Sequence, residues 1–576
     1  MLKYLLTAVI AVSVLPAFGA GSWYFGEYAV MIEAGDMPLS GKVNGYEDII
    51  LKVSNKSAAE RTIEIRLTGS RSNSQLQSIS KTLHLPSGGK TSVCFIKPSL
   101  SMTDIEVKVW IDKSLQKPFS LKTYKGDGIN TWSSPTSILL SEKLSYDFFD
   151  KLINSGSKKD VYDENRIIAY RSDELPETPH AYSGFDCVLL PADQINQSTK
   201  LAKDTLYNYV RAGGSLFVSG QFQPGITAIN SKTDGIISYY EYGLGLIVAA
   251  QTDNYSQIES LEWDEISSGL WKTRPFVYNY IHSGNTINDW CKVVNVSPVP
   301  SKIMVAVIIL MIIIIGPVNI LILRLINKPI LMYVTVPLIS LIAALVILVF
   351  SITKEGTGNT ERISGFTILD QRTGQASTAG IIGYYCPFLP IDELNFSYDT
   401  QIIPLNVSAI SSYSDKRINL DNRQRFYGGW INSRVPSHFA AVKISENQPA
   451  LVRFNTADNG SIEMSNETDN IISAIRYKTP DGTVYEAENV AGGQKTIMTR
   501  YEGSQSSMEL FPIRNMISGD WLKSGSRVYA APGKDLYPGC YIAKFTDELF
   551  LEKPAAGKKA TGQYDCFVYG ITGGEK

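Results

Sequence analysis

Two long apolar segments dominate the hydropathy pattern of the chain. Residues 303–323 and 329–352 contain no charged side chain. An α-helix rises about 1.5 Å per residue, so each segment reaches about 30 Å, the thickness of a bilayer's hydrocarbon core. Backbone groups in lipid must be hydrogen-bonded within their own segment, which favours helices. The pattern predicts a two-helix transmembrane hairpin in a lipid bilayer. The alternative is a buried helical hairpin in a large soluble core.

Short runs of alternating apolar and polar residues lie on both sides of this hairpin. Residues 21–128 contain six or seven such runs, including RTIEIRLTG and IEVKVWID, separated by turn signals. This spacing is typical of an Ig-like β-sandwich. Residues 353–576 contain similar runs and predict a C-terminal, exported β-rich domain. No internal repeat stands out.

Residues 129–298 have a different pattern. The runs SILL, RIIAY, DCVLLP and SLFVS are short and continuously apolar, and STKLAKDTLYNYVRA has the spacing of an amphipathic helix. Gly213-Gly214 is expected to end this helix with a left-handed cap. Apolar strands that alternate with helices predict a parallel sheet covered on both faces.

These residues also resemble a known family. FDCVLLP, the helix ending in YVRAGGSLFVSG, and YGLGLIVAA resemble the flavodoxin-like core of class I glutamine-amidotransferase-like domains. The stretch GPVNILILRLINKPILMYVTVPLISL resembles bacterial membrane proteins that carry such a domain before a two-helix hairpin. The resemblance implies a multidomain α+β membrane protein with the α/β domain at 129–298.

The chain's first residues indicate export. Residues 1–20 combine Lys3, an apolar stretch and small residues at a cleavage site, as a signal peptide does. An uncleaved anchor helix is the alternative. Both large regions are then extracytoplasmic, and Arg324 and Lys328 fall in the inner turn, as the positive-inside rule prefers. The predicted location is the bacterial cytoplasmic (inner) membrane.

Composition and cysteine spacing exclude several classes of function. The formal net charge is −2 and charged residues make up 19% of the 576 residues, so no nucleic-acid partner is expected. None of the six cysteines forms a CxxC pair, and no metal-ligand cluster is present, so no metal and no cofactor are predicted. Cys540 and Cys566 are the candidate disulfide pair.

Catalytic candidates are few. An active amidotransferase carries its nucleophile in a G-x-C-x-G turn, and the chain contains no such sequence. Cys187 with His282 is one candidate pair, and Glu262 with Asp264 offers two carboxylates for glycoside chemistry. The competing readings, which we favour, are a buried apolar thiol for the first pair and a solvated helix face for the second.

Two further sets of residues are candidates for binding and packing. Asp193 follows one predicted strand, and Gln221 and Gln223 follow the next, so they would line the cleft at the carboxyl ends of the strands or cap its loops. In the first apolar segment, Gly316-Pro317 predicts a kink. Asn319 is expected to face the second helix or a partner.

Taken together, these features predict a membrane-anchored envelope protein with exported binding or scaffold domains and a catalytically degenerate amidotransferase-like module. Its expected partner is an envelope or membrane protein. The alternative is an envelope glycan or peptide hydrolase that uses the α/β cleft. A transporter subunit is disfavoured, because the two spans carry no charged group.

Overall fold

The structure is a computed structural model. It describes residues 22–34, 46–70, 77–97, 103–121, 136–144, 167–171, 175–178, 180–185, 187–252, 258, 291–293, 301–355, 358–387, 393–405, 416–457, 460–502, 536–553 and 560–572. The predicted signal peptide lies outside these residues. The described chain is mostly β-sheet with few helices, which confirms the β-rich composition expected from the alternating runs.

The N-terminal region forms antiparallel strands whose alternate side chains are buried. β2, β3 and β6 lie side by side in one sheet with β1 at its edge, and β5, β4 and β7 lie together in a second. Apolar side chains of both sheets form one core. The strands are β1 (Ser22–Phe25), β2 (Val30–Ala34), β3 (Glu47–Asn55), β4 (Arg61–Ser70), β5 (Gln77–Leu85), β6 (Lys90–Lys97), β7 (Thr103–Ile111), β8 (Ser114–Leu115) and β9 (Phe119–Leu121).

The next region contains a seven-stranded sheet. Its spatial order is β11-β10-β12-β13-β16-β15-β14, and its first five strands run parallel. The order of these five is 2-1-3-4-5, one of the two common doubly wound arrangements. The strands are β10 (Thr136–Leu140), β11 (Ile167–Arg171), β12 (Cys187–Pro191), β13 (Ser215–Ser219), β14 (Asn230–Asp234), β15 (Ile237–Tyr242) and β16 (Gly245–Ala250).

Two helices connect β12 to β13, namely α1 (Ala192–Gln197) and α2 (Lys200–Arg211). Thr199 caps α2, since its side chain accepts a hydrogen bond from the N–H of Ala202 (3.1 Å). At the other end Gly213 adopts a φ of 105°, and the N–H of Gly214 donates to the carbonyl of Tyr209 (2.9 Å). The left-handed glycine cap expected from the sequence is confirmed.

The two apolar segments are helical. The first comprises α3 (Ser301–Ile313), a π-helical turn (Ile314–Val318) and α4 (Asn319–Leu325), and the second a 3₁₀ turn (Pro329–Leu331) and α5 (Met332–Glu355). Both are long and apolar enough to cross a membrane. Many of their large apolar side chains are exposed, which is the pattern that a lipid environment requires and a soluble core does not.

The turn between these helices is closed by Asn327. Its φ is +52°, its N–H donates to the carbonyl of Arg324 (3.0 Å), and the next N–H, of Lys328, donates to the carbonyl of Leu323 (3.1 Å). This is a Schellman cap with asparagine in the left-handed position, followed by Pro329. The left-handed Asn327 and these two hydrogen bonds therefore reverse the chain direction within a few residues.

The C-terminal region forms the largest sheet. Its order is β20-β23-β18-β17-β31-β30-β26-β27-β29. The other strands of this region belong to two further sheets, with β19, β21 and β22 in one and β24, β25 and β28 in the other. The strands of the whole C-terminal region are β17 (Asn359–Asp370), β18 (Gln375–Tyr385), β19 (Glu393–Phe396), β20 (Thr400–Leu405), β21 (Lys416–Asn419), β22 (Gln424–Tyr427), β23 (Ser437–Ser445), β24 (Val452–Thr456), β25 (Ile462–Asn466), β26 (Ile472–Lys478), β27 (Val484–Val490), β28 (Lys495–Ile497), β29 (Thr499–Arg500), β30 (Cys540–Phe545) and β31 (Ala560–Ile571).

The regions before and after the apolar helices share a sheet and a core. β21 pairs in parallel with β5, so that Ile418 lies beside Ile79. β22 and β19 continue this sheet, and their side chains join the N-terminal core. Residues 21–128 and 353–576 were expected to form separate domains, but here they contribute to one sheet.

The structure contains an internal repeat that was not expected. β2-β3-β6 face β5-β4-β7, and β24-β25-β28 face β27-β26-β30 in the same order. In each copy an asparagine, Asn55 or Asn466, is the last residue of the second strand. Its Nδ2 donates to the carbonyl four residues later (2.8 Å in both). Its Oδ1 accepts from the N–H two residues later (3.0 and 3.1 Å). The shared sequence S-N-x-S/T marks both loops.

Candidate functional site

The carboxyl ends of the parallel strands meet at one edge of the seven-stranded sheet. Pro191 at the end of β12 lies beside Ser219 of β13, which lies beside Ala250 of β16. Gly220 follows with a φ of +92°, and its N–H donates to the carbonyl of Ala250 (2.9 Å). The three candidate cleft residues follow these strand ends, so the structure places all of them at this edge.

Asp193 lies in the first turn of α1 and is largely exposed. Its Oδ2 is 3.6 Å from Nζ of Lys143, which follows β10. The backbone there is anchored as well, because Ser141 N–H donates to the carbonyl of Leu189 (3.0 Å) and Ser141 Oγ accepts from the N–H of Lys143 (3.1 Å). The ion pair therefore bridges the loops after β10 and β12, where the strand order reverses and ligands bind in sheets of this type.

Gln221 and Gln223 are exposed on either side of the buried Phe222. The side chain of Gln251, which follows β16, fixes this loop. Its Oε1 accepts from the N–H of Phe222 (3.1 Å), and its Nε2 donates to the carbonyl of the same residue (3.0 Å). Lys143 and Gln251 were missed in the sequence, although Gln251 directly follows an apolar run and Lys143 lies three residues after the end of another.

Cys187 lies at the opposite edge. It is the first residue of β12 and pairs with Ser215, the first residue of β13, so it is about 13 Å from the carboxyl edge. The side chain is fully buried, and burial raises the pKa of the thiol. A buried, protonated thiol is a poor nucleophile. This burial is what the favoured interpretation of Cys187, a buried apolar thiol, predicts.

The other catalytic candidates, Glu262, Asp264 and His282, lie outside the described residues and stay predictions. Within the described part of the chain, no group of three or more His, Cys, Asp or Glu side chains could hold a metal ion. At the carboxyl edge, the described side chains offer hydrogen bonds and one ion pair. Such groups can bind a polar ligand through hydrogen bonds and charge.

The candidate disulfide is wrong. Cys540 and Cys566 lie on neighbouring antiparallel strands, but Cys540 pairs with Ile571 and Cys566 with Phe545. The two cysteines are therefore five residues apart in register, or about 17 Å, whereas a disulfide needs Cα atoms within about 7 Å. Both thiols are free and buried.

Of the packing candidates Gly316, Pro317 and Asn319, the asparagine contacts the second helix. Nδ2 of Asn319 donates to Oγ1 of Thr335 on the second helix (3.0 Å), and Asn319 is buried. Pro317 lies inside the π-helical turn, where it has no N–H to donate, and the N–H of Asn319 donates to the carbonyl of Ile314. Gly316 has open space beside its Cα. The expected contact of Asn319 with the second helix matches this geometry.

No protein-family model matches the chain, and no curated protein is significantly similar to it. The yeast delta-COP-I mu-homology domain is similar at a TM-score of 0.17 and 8% identity, over 38% of this chain and 96% of that one. A Paenibacillus sp. cycloisomaltooligosaccharide glucanotransferase gives a TM-score of 0.14 and 10% identity, over 31% of this chain and 26% of that one. Bacteroides uniformis beta-glucuronidase 2 gives a TM-score of 0.14 and 15% identity, over 33% of this chain and 33% of that one. At such TM-scores these likenesses carry no argument about fold or function.

Proposed function

We propose that this chain is a membrane-anchored envelope protein whose exported domains bind a partner and whose α/β region is a catalytically degenerate amidotransferase-like module. One observation carries the proposal. At the carboxyl edge, where an active α/β enzyme presents its nucleophile, the described residues provide the Lys143–Asp193 ion pair and the loop held by Gln251. Cys187, the cysteine in the strand that resembles the family, is buried at the other edge.

The proposed domain types rest on strand order. The 2-1-3-4-5 order of parallel strands supports a flavodoxin-like domain at 129–298. The two facing antiparallel sheets in residues 22–121 support an Ig-like β-sandwich. Both modules commonly serve as binding surfaces, and fold by itself does not imply catalysis.

The proposed location is the bacterial inner membrane, with two spans and both large regions outside. The pairing of β5 with β21 supports a common side for the two regions, because strands of one sheet cannot lie on opposite faces of a bilayer. Arg324 and Lys328 in the turn between the helices support an inner position for the turn. An impermeant protease should therefore reach both regions from outside the inner membrane. Protection of one region alone would contradict this topology.

The binding role is tested by crosslinking in native membranes, followed by purification in mild detergent and mass spectrometry. We expect one reproducible envelope or membrane partner. Replacing Gln221 and Gln223 with alanine should reduce its recovery if the carboxyl edge is the contact. Two exposed residues of the C-terminal region, Glu488 on β27 and Lys495 on β28, serve as the control when changed by Glu488→Gln and Lys495→Met.

The alternative function is an envelope glycan or peptide hydrolase. The variants Glu262→Gln and Asp264→Asn separate the two proposals, because they retain side-chain size and remove the proposed acid chemistry. If the protein supports normal cell-envelope growth with both changes, hydrolysis by these carboxylates is excluded. If cell-envelope growth is lost while the partner is recovered as before, the hydrolase proposal is favoured instead.

A further inference from the structure

A cavity of about 730 Å³ lies between the α/β region and the C-terminal β region. One wall is a single face of α2, formed by Leu201, Asp204, Thr205 and Asn208 at spacings of three and four residues. The opposite wall is the end of β23 and the residues after it, and Glu177, His180, Tyr182 and Ser183 close the third side. Pockets for small molecules in proteins typically enclose 300–1,000 Å³.

Polar contacts hold these walls in place. At the end of α2 the buried Arg211 donates to Oε1 of Glu446 (3.1 Å) and to the carbonyls of Ser445 (3.1 Å) and Ala376 (3.3 Å). A second contact joins the same two regions, because Nε2–H of His180 donates to the carbonyl of Tyr398 (2.6 Å). The cavity is thus bounded by two regions that are fixed to each other.

The charges on the cavity wall are mainly negative. Glu177, Asp204, Asp399 and Glu446 all line it and are exposed. Glu446 is paired with Arg211, whereas Asp204 and Asp399 form no ion pair with any described residue. A cation entering the cavity would therefore meet two carboxylates that no basic side chain neutralises.

The positive groups that line the cavity do not balance these acids. Nζ of Lys443 is 2.8 Å from Oε1 of Glu552, a carboxylate that is not part of the lining. Burial lowers the pKa of His180, which keeps that ring neutral at neutral pH. The field in the cavity therefore favours a cation.

The inner surface of the cavity is apolar and aromatic. Tyr182, Tyr209 and Val442 are buried there. The hydroxyl of Tyr182 is itself buried, and it has no hydrogen-bond partner in the described part of the chain. An aromatic surface below a carboxylate rim accommodates methylene groups and attracts an ammonium group by cation–π interaction.

We propose that this cavity binds small aliphatic amines, with the ammonium group at Asp204 and Asp399 and the alkyl chain against Tyr182 and Val442. None of the residues described above at the carboxyl edge lines this cavity. The inference therefore does not depend on the partner proposed above.

The test is isothermal titration of the full chain in detergent with cadaverine, a five-carbon diamine. The neutral 1,5-pentanediol has the same chain length and serves as the ligand control. We expect binding of cadaverine that weakens as salt is raised, and much weaker binding of the diol. Equal binding of the two ligands, or no heat with either at millimolar concentration, would overturn the proposal.

Three variants locate the site. Asp204→Asn and Asp399→Asn should each weaken cadaverine binding about two- to fivefold, the usual range for an exposed ion pair. Leu201→Arg adds a positive charge at the exposed wall and should weaken it further. Glu488→Gln, an exposed acid on β27, should leave the affinity unchanged. If all four variants bind cadaverine like the unaltered chain, or all weaken binding alike, the amine is not held in this cavity.

Discussion

Lys416 is a buried lysine without a carboxylate. Its amine has no hydrogen-bond partner among the described residues and lies 5.4 Å from the centre of the Trp430 ring. Burial lowers the pKa of Lys416 to about 8. Below that pH the folded protein must keep a charge in its core, so this residue reduces the free energy of unfolding.

The sign of the pH dependence follows from linkage. Between about pH 8 and the ordinary lysine pKa of about 10.4, the unfolded chain holds a proton that the folded chain has lost, so stability rises with pH. Lys416→Met should raise the free energy of unfolding at pH 7 by about 1–3 kcal/mol and remove this dependence. Chemical denaturation in detergent at pH 7 and 9.5 measures both effects. The exposed Lys495→Met is the control and should change little.

Tyr46 joins three regions of the chain through one buried side chain and its own N–H. Its hydroxyl donates to Oε1 of Gln424 (2.9 Å) and accepts from the N–H of Ile402 (2.7 Å). Its backbone N–H donates to Oγ of Ser183 (2.7 Å). No local pattern in the sequence distinguishes this tyrosine from the other thirty.

Tyr46→Phe should therefore lower the free energy of unfolding by about 1–3 kcal/mol, because it leaves a buried N–H and a buried amide oxygen without that partner. Thermal denaturation followed by circular dichroism reports the change. Tyr24→Phe is the matched control, since Tyr24 is 61% exposed. An equal loss in both variants would mean that the hydroxyl of Tyr46 contributes nothing specific.

At the scale of elements, a polar contact joins the two apolar helices. Asn319 lies in the sequence G-P-V-N of the first segment, and Thr335 lies in T-V-P of the second. Their side chains meet across the helix pair at 3.0 Å. A hydrogen bond of this kind contributes about 0.6 kcal/mol and at most about 1.7 kcal/mol in a membrane protein.

A double-mutant cycle with Asn319→Val and Thr335→Val measures this contact. We expect each single change to reduce the free energy of helix association. The double change should reduce that free energy by less than the sum of the two single changes. Ser340→Ala is the control, because Ser340 Oγ donates to the carbonyl of Val336 in its own helix (2.9 Å). Strict additivity in lipid would show that Asn319 and Thr335 do not interact there.

At the scale of the molecule, the apolar hairpin is an insertion into one folded body. Arg362 donates to the carbonyl of Lys292 (3.0 Å), and His438 donates to the carbonyl of Cys291 (3.0 Å). Val293 occupies the space above Gly383, where a Cβ would be 2.4 Å from a Val293 methyl carbon. The chain therefore leaves for the first helix and returns from the second at the same part of the nine-stranded sheet.

Replacing residues 301–355 with a Gly/Ser linker of about ten residues should then yield a soluble, folded protein. Residues 21–298 alone should aggregate, because β5 loses β21 and the shared core is exposed. Size-exclusion chromatography and circular dichroism of exported material distinguish these outcomes. A stable, monomeric 21–298 fragment would show that the shared sheet is dispensable.

The sequence by itself determined the features that depend on neighbouring residues. Periodicity predicted the two apolar helices and the β-rich flanks, and the glycine cap after α2 followed from Gly213-Gly214. The placement of Asp193, Gln221 and Gln223 at one edge followed from strand ends in a parallel sheet. The sequence also contains the Asn-centred repeat, as S-N-x-S/T at the end of a strand. Its two copies are four residues long and lie about 400 residues apart, so the pattern by itself does not indicate a repeat.

Only the tertiary structure decided which distant segments meet. The pairing of β5 with β21, the bonds of Tyr46 and the cavity beside α2 each join residues that lie more than 100 positions apart. The register of β30 and β31 likewise separated Cys540 from Cys566. The physical reason is common to all of these. A helix or strand signal comes from side chains a few residues apart, whereas the contacts between elements depend on which apolar faces bury each other.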